Sequence, residues 1–260
     1  MYTQVAPPHQ FTARYPELAG KTAVVTGAAS GIGSAVARAL VTQGCRTIAV
    51  DLNADPACYP EGSEAVVANL TDAGERARIR SLSGTADLLV NAAGISRPKD
   101  IFSVMESDWD QTMAINAKAL FFMMQDYTRT MGAGSAVVNL ASIAGKSAHT
   151  VHGAVYNASK AAVIALTKTF AYAVAERGIR INSVCPGVTD TPMLQSIYAT
   201  TSGSDPAEAR QLMAKYLQTV PLGRLADPEE IASTIVFLLS DSASYMTGQA
   251  VNVSGGLVMW

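Results

Sequence analysis

Tyr156 and Lys160 stand four residues apart in Tyr156-Asn157-Ala158-Ser159-Lys160, a spacing that puts both side chains on one helix face. Free tyrosine has a pKa near 10, so a phenol that exchanges a proton at neutral pH needs help. A neighbouring ammonium favours phenolate, and lowering the phenol to a pKa of about 7 takes roughly 4 kcal/mol of differential stabilisation. Ser142 lies just beyond the apolar run Ala136–Leu140, and its hydroxyl can donate to an oxygen on which charge develops. Upstream stands a glycine-rich turn, Thr26-Gly27-Ala28-Ala29-Ser30-Gly31-Ile32-Gly33. Together these residues suggest hydride transfer between a nicotinamide and a carbonyl or alcohol.

The elements that must position them alternate. Thr22–Thr26 is a short apolar run ended by Gly27, and helical periodicity follows over 31–43 until Gly44. Further strand patterns fall at 47–50, 65–68, 88–90, Ala136–Leu140, 179–184 and Ala250–Val253, with helical ones near 73–82, 106–130, 154–177, 206–218 and 228–240. This order implies βαβ crossovers in an α/β fold: a single-domain, Rossmann-type doubly wound parallel sheet of about seven strands with helices on both faces. Strands covered on both faces read as continuous apolar runs. No repeat, linker or composition break divides 21–260, and the polar, proline-containing 1–20 reads as an extension ahead of the fold.

At the glycine-rich turn, side chains would obstruct a closely approaching pyrophosphate, and the helix starting near Gly31 points free N–H groups and its positive dipole end at the phosphates. The spacing is G-x-x-x-G-x-G rather than the general G-x-G-x-x-G, and a tight strand–helix turn without ligand would show the same glycines. Asp51 closes the second strand, where a carboxylate can accept from both ribose hydroxyls. A 2′-phosphate about 4 Å away would cost about 4 kcal/mol at an effective dielectric near 20, roughly a thousandfold in affinity. Neither Leu52-Asn53 nor Ser30 supplies a cation, so the expected cofactor is NAD rather than NADP.

Composition excludes other classes. The chain has 260 residues, 49% hydrophobic and 15% charged, with a formal net charge of −2. It can bury a sizeable core, and it offers no basic track for nucleic acid. No apolar stretch reaches the ~18–20 residues that span a bilayer, and Met1 to Pro16 has no apolar signal core. Cys45, Cys58 and Cys185 are odd in number and widely spaced, which argues against a disulfide framework or zinc site. His149 and His152 lack a visible third ligand, so no metal is expected. A reduced, cytoplasmic protein is the simplest reading.

With these residues in order, the chain resembles a short-chain dehydrogenase/reductase over nearly its entire length. The resemblance rests on Thr26-Gly27-x-x-x-Gly31-x-Gly33, Asn91-Ala92-Ala93-Gly94, Asn116, Ser142, Tyr156-x-x-x-Lys160 and Pro186-Gly187. It implies that Tyr156 is the general acid or base, that Lys160 lowers its pKa and holds the nicotinamide ribose, and that Ser142 positions the substrate oxygen. Asn116 would hold a water linking Lys160 to solvent. From residue type alone, Asn116 is equally a kink or a satisfied core amide. Cofactor contacts are implied at Gly27, Ser30, Gly31, Ile32, Gly33, Asp51, Leu52, Asn69, Leu70, Asn91, Ala92, Ala93, Gly94, Tyr156, Lys160, Pro186, Gly187, Thr189 and Thr191. Family members often carry Asp where this chain has Asn69. Assembly as a homotetramer is a further implication.

The span 191–222 is expected to be a lid over the nicotinamide that sets specificity. Lys146, His149 and His152 lie in a loop that borders the substrate in the family, where polar lining suits hydroxylated molecules; an exposed polar loop is the other reading. The apolar end Leu257-Val258-Met259-Trp260 is expected to be buried, against this chain or another subunit. Similar aromatic tails in sugar-alcohol enzymes of this kind point to a polyol or sugar-derived secondary alcohol as the small-molecule substrate. A 3-oxoacyl-thioester reductase and a non-catalytic NAD-sensing protein are the alternatives.

Overall fold

The computed structural model describes residues 11–148, 152–201 and 206–260. Seven parallel strands form one sheet: β1 (Thr22–Thr26), β2 (Arg46–Asp51), β3 (Glu64–Val67), β4 (Leu88–Asn91), β5 (Ala136–Leu140), β6 (Arg180–Pro186) and β7 (Ala250–Val253). Their spatial order is β3-β2-β1-β4-β5-β6-β7. The direction of winding therefore reverses between β1 and β4, and a crevice opens there beyond the carboxyl ends of the strands.

Eight helices link the strands among the described residues: α1 (Gly31–Thr42), α2 (Ala73–Ser83), α3 (Glu106–Met113), α4 (Leu120–Thr128), α5 (Ala154–Val174), α6 (Pro192–Thr201), α7 (Pro206–Leu217) and α8 (Pro228–Leu239). Alternation along each strand divides the core into two layers. Ala23 and Val25, Leu88 and Val90, and Val138 face α1 and α8, joining Val36, Leu40, Ile231 and Ile235. Val24, Leu89, Val137 and Ile181 face the other way, joining Ile79 of α2, Met123 and Tyr127 of α4, and Val163 of α5. Both sets are fully or nearly fully buried, the physical reason these strands carry no polar alternation.

Three features depart from the sequence reading. The expected helix over 106–130 is broken by a π-helical segment, Ala114–Ala119, between α3 and α4. Its widened turn carries Asn116. Part of the expected extension is docked: Leu18 is fully buried, and Gln43 accepts from the Tyr15 amide and donates to the Ala13 carbonyl. Finally, 192–201 forms α6, opened by Pro192 at a position where its missing N–H costs nothing.

Candidate active site

A cleft of about 320 Å³ runs along the carboxyl edge of the sheet, across the point where the winding reverses. One end is made largely of backbone. Gly27 and Gly31 have φ of 70° and 53°, the left-handed region that disfavours side chains. A Cβ on Gly33 would stand 2.0 Å from the Gly27 carbonyl oxygen, and one on Gly27 would stand 2.7 Å from the Ala93 amide. These glycines therefore let the β1–α1 turn fold on itself and lie against the turn after β4. Ser30 precedes α1 without a side-chain cap, leaving the positive first turn of α1 facing the cleft.

Asp51 sits at the tip of β2 and lines the same end. Its two carboxylate oxygens accept from the Ala29 amide at 3.0 Å and the Asn53 amide at 3.2 Å. These bonds hold the carboxylate at the lip of the cleft with lone pairs remaining on both oxygens.

At the other end stand buried ionisable groups. Ser142, just past β5, accepts from the Ala144 amide at 3.1 Å and is hydrogen-bonded to the Tyr156 hydroxyl. Gly145 brings that turn close, since a Cβ there would stand 2.7 Å from the Lys160 backbone carbonyl carbon. Tyr156 and Lys160 are buried one turn apart on α5. Lys160 Nζ donates to the Leu140 carbonyl at 2.7 Å and lies 5.5 Å from the centre of the Tyr156 ring. Burial pushes Lys160 down to about 8 and Tyr156 up to about 12, the Ser142 hydrogen bond offsetting part of the latter. In the protein alone desolvation is the larger influence on the phenol, and it opposes the depression expected from Lys160.

His152 flanks this end. Its ring stacks on Tyr156 with centroids 4.3 Å apart and planes at 21°, and its Nδ1 pairs with the Ser96 hydroxyl at 2.8 Å. Burial and the Lys160 charge push its pKa down to about 4.

Most of the residues singled out from the sequence line the cleft: Gly27, Ser30, Gly31, Ile32, Gly33, Asp51, Leu52, Asn69, Leu70, Ala92, Ala93, Gly94, Ser142, Tyr156, Lys160, Pro186, Gly187, Thr189 and Thr191. Two do not. Asn91 turns inward and donates to Asn139 Oδ1 at 2.9 Å, and Asn139 donates to Thr167 at 3.0 Å. It is Thr26 that holds the turn after β4, accepting from the Ala92 and Ala93 amides. Asn116 lies behind the wall: its carboxamide accepts from the Ile95 amide and donates to the Ile95 carbonyl and the Ser159 hydroxyl. That is the satisfied core amide, and it fixes the strand of chain running past Lys160.

Asn69 lines the cleft with its amide oxygen already accepting from the Thr71 amide and hydroxyl. A cofactor contact through this amide oxygen therefore has to compete with that turn. Thr189 carries a buried hydroxyl with no hydrogen-bond partner, on the cleft wall. Lys146 is elsewhere: its ammonium donates to the Ala250 carbonyl, Asn252 Oδ1 and the Trp260 carbonyl. His149 lies outside the described residues. The terminal Val258 is buried, whereas Met259 and Trp260 are exposed rather than packed on this chain.

Ile95, Ile143, Met193, Leu194 and Tyr216 also line the cleft; none was singled out from the sequence, and the last three were covered only by the expected lid span 191–222. Ile143 was findable as the neighbour of Ser142. The other four are set by how the loop after β4 and helices α6 and α7 come to rest, which no local pattern reports.

Comparison with known proteins adds a lineage to this geometry. Residues 27–258 match the model of a family described as enoyl-(acyl carrier protein) reductase. A (3R)-3-hydroxyacyl-CoA dehydrogenase of Canis lupus familiaris is 35% identical over 91% of this chain and 96% of its own. A D-threitol dehydrogenase of Mycolicibacterium smegmatis is 36% identical over 92% of this chain and 93% of its own. Among solved structures, a variant of actinorhodin polyketide ketoreductase with NADPH superposes with a TM-score of 0.85 at 29% identity, covering 93% of this chain and 98% of that one.

Proposed function

The chain belongs to the short-chain dehydrogenase/reductase family, and from that premise we propose an NAD-dependent dehydrogenase interconverting a secondary alcohol and a ketone on a small polyol or sugar-derived substrate. The observation that carries the reading is one cleft with Asp51 at one end and the Ser142–Tyr156 pair beside Lys160 at the other. The residues present fit a nicotinamide dinucleotide: a cradle that a Cβ would fill, an uncapped helix start, and the orphaned Thr189 hydroxyl. Gly27, Gly31 and Gly33 would take the pyrophosphate, Asp51 the adenosine ribose, and Thr189 the carboxamide.

The chemistry the bound coenzyme supplies is acceptance or donation of hydride at the substrate carbon. This chain's residues manage the accompanying proton. Tyr156, held near 12 by burial, is a neutral phenol at pH 7, poised to give its proton to a ketone oxygen receiving hydride. In the reverse direction the phenol must first ionise, which the Lys160 ammonium and any further positive charge beside it favour. Ser142 holds the phenol oxygen and can donate to the reacting oxygen. The carboxylate of Asp51 disfavours a 2′-phosphate and supports NAD over NADP.

The D-threitol relative and the polar set Ser142, Tyr156 and His152 support the polyol reading. The apolar wall of Ile143, Met193, Leu194 and Tyr216 supports a second one, a 3-hydroxyacyl thioester, as does the hydroxyacyl-CoA relative. No helix among the described residues is long and apolar enough to cross a membrane. Homotetrameric assembly is part of the proposal, with exposed Trp109, Tyr172 and Tyr245 as surfaces it could cover. The test is reduction of NAD and NADP against polyols, sugars, simple secondary alcohols and 3-hydroxyacyl thioesters. Turnover of a polyol with NAD is the expected result; turnover of thioesters alone moves the substrate to the second reading.

A further inference from the structure

Resting on the reading of Tyr156 as the acid–base group, we infer that His152, anchored by Ser96, is a positioning residue that fixes and shields the Tyr156 ring. Three observations converge on it. The imidazole lies nearly parallel to the phenol ring at 4.3 Å, so it limits the rocking that would carry the hydroxyl away from Ser142. Ser96, reached across 56 residues of sequence from the loop after β4, fixes the imidazole at 2.8 Å. That bond joins the β4 loop to the start of α5, the helix that carries Tyr156 and Lys160.

A neutral ring suits this task. The imidazole keeps water off the phenol face, and because its own pKa lies near 4 it adds no charge there at neutral pH. A cation on that face would draw the proton from Tyr156. The charged group facing the pair is Lys160, beside both rings, and Tyr216 is a further titratable group lining the same cleft; Ser142 meets the phenol hydroxyl as a neutral hydrogen-bond partner.

The experiment titrates the Tyr156 phenol by ultraviolet absorbance in the coenzyme-free protein, as the difference between each protein and the same protein carrying Tyr156→Phe. The parent should titrate near 12. His152→Ala should lower the midpoint by roughly one pH unit or more toward the free-tyrosine value near 10. His152→Phe, which keeps a flat ring, should stay near the parent. Ser96→Ala, a milder change, should move the midpoint in the same direction as His152→Ala. With an alcohol that the enzyme turns over, His152→Ala should lower kcat roughly tenfold, short of the about hundredfold that a 1 Å misplacement costs. His152→Phe should restore most of that loss, with the KM for NAD unchanged in both.

An unchanged midpoint in His152→Ala, or a phenylalanine variant no better than the alanine one, overturns the inference. A Tyr156→Phe enzyme with parental turnover would instead overturn the proposed function, and the titration would still judge His152.

Discussion

At the glycine end of the cleft, the groups that face a ligand are backbone amides and a single carboxylate; at the tyrosine end they are buried side chains that hold protons. The glycine end works by shape. Gly27 and Gly33 leave no room for a methyl group, and Asp51 is fixed by two amides rather than by a countercharge. The tyrosine end works by desolvation, which holds Tyr156, Lys160 and His152 away from their ordinary pKa values, each toward its neutral form. Substitutions at the first end should therefore change which coenzyme binds. Substitutions at the second should change whether a proton moves.

The largest effect expected is at the tyrosine end. Lys160→Met keeps most of the volume and removes the charge, and kcat should fall about a thousandfold, within the range of proton-transfer catalysis. Steady-state rates together with NADH titration check this, and a loss confined to NADH affinity would erase the division between the two ends. At the glycine end, Asp51→Ser removes the repulsion toward a 2′-phosphate without supplying a cation. The ratio of kcat/KM for NADP over NAD should rise about a hundredfold, part of the thousandfold that full repulsion represents.

A smaller effect should appear in stability against pH. The folded pKa of His152 lies near 4 and its model value is 6.5, so the unfolded chain binds the extra proton between those limits. Stability from this group is full above about pH 6.5 and is lost as pH falls toward 4, by about 2 kcal/mol after allowing for its partial exposure. Denaturant melts from pH 7 to 4 should show a shallower loss in His152→Phe than in the parent. Least affected should be Lys146→Met, which takes a donor from the Ala250 and Trp260 carbonyls and lines neither end of the cleft. It should cost about 1 kcal/mol and leave turnover intact.

The same contrast explains what the sequence disclosed. The glycine end was legible because its requirements are local: a missing Cβ at Gly27, Gly31 and Gly33, and an acid at the tip of β2. Burial on both faces made β1, β2, β4, β5 and β6 legible as apolar runs, whereas the edge strands β3 and β7, only partly buried, were read from short apolar stretches alone. Tyr156, Lys160 and Ser142 were visible as a pattern, but the direction of the Tyr156 pKa was not, since desolvation depends on what packs around it. His152 drew attention only as a loop residue, and its stacking needs the fold. The cofactor contact at Asn91 and the water held by Asn116 were implied by the family resemblance rather than by residue type; the side chains of both make interior hydrogen bonds. Leu18 escaped notice because a single buried residue in a polar segment leaves no period. Met259 and Trp260 are not buried against this chain, so of the burial expected for the apolar end only the part against another subunit remains, as a proposal.

The central claim is that coenzyme recognition and proton transfer are separable between the two ends of the cleft. It is tested most directly by measuring NADH affinity and alcohol turnover on one Tyr156→Phe preparation. The account predicts NADH binding within about twofold of the parent and kcat lower by about a thousandfold. Turnover close to the parent's, or a parallel collapse of binding and turnover, would contradict it.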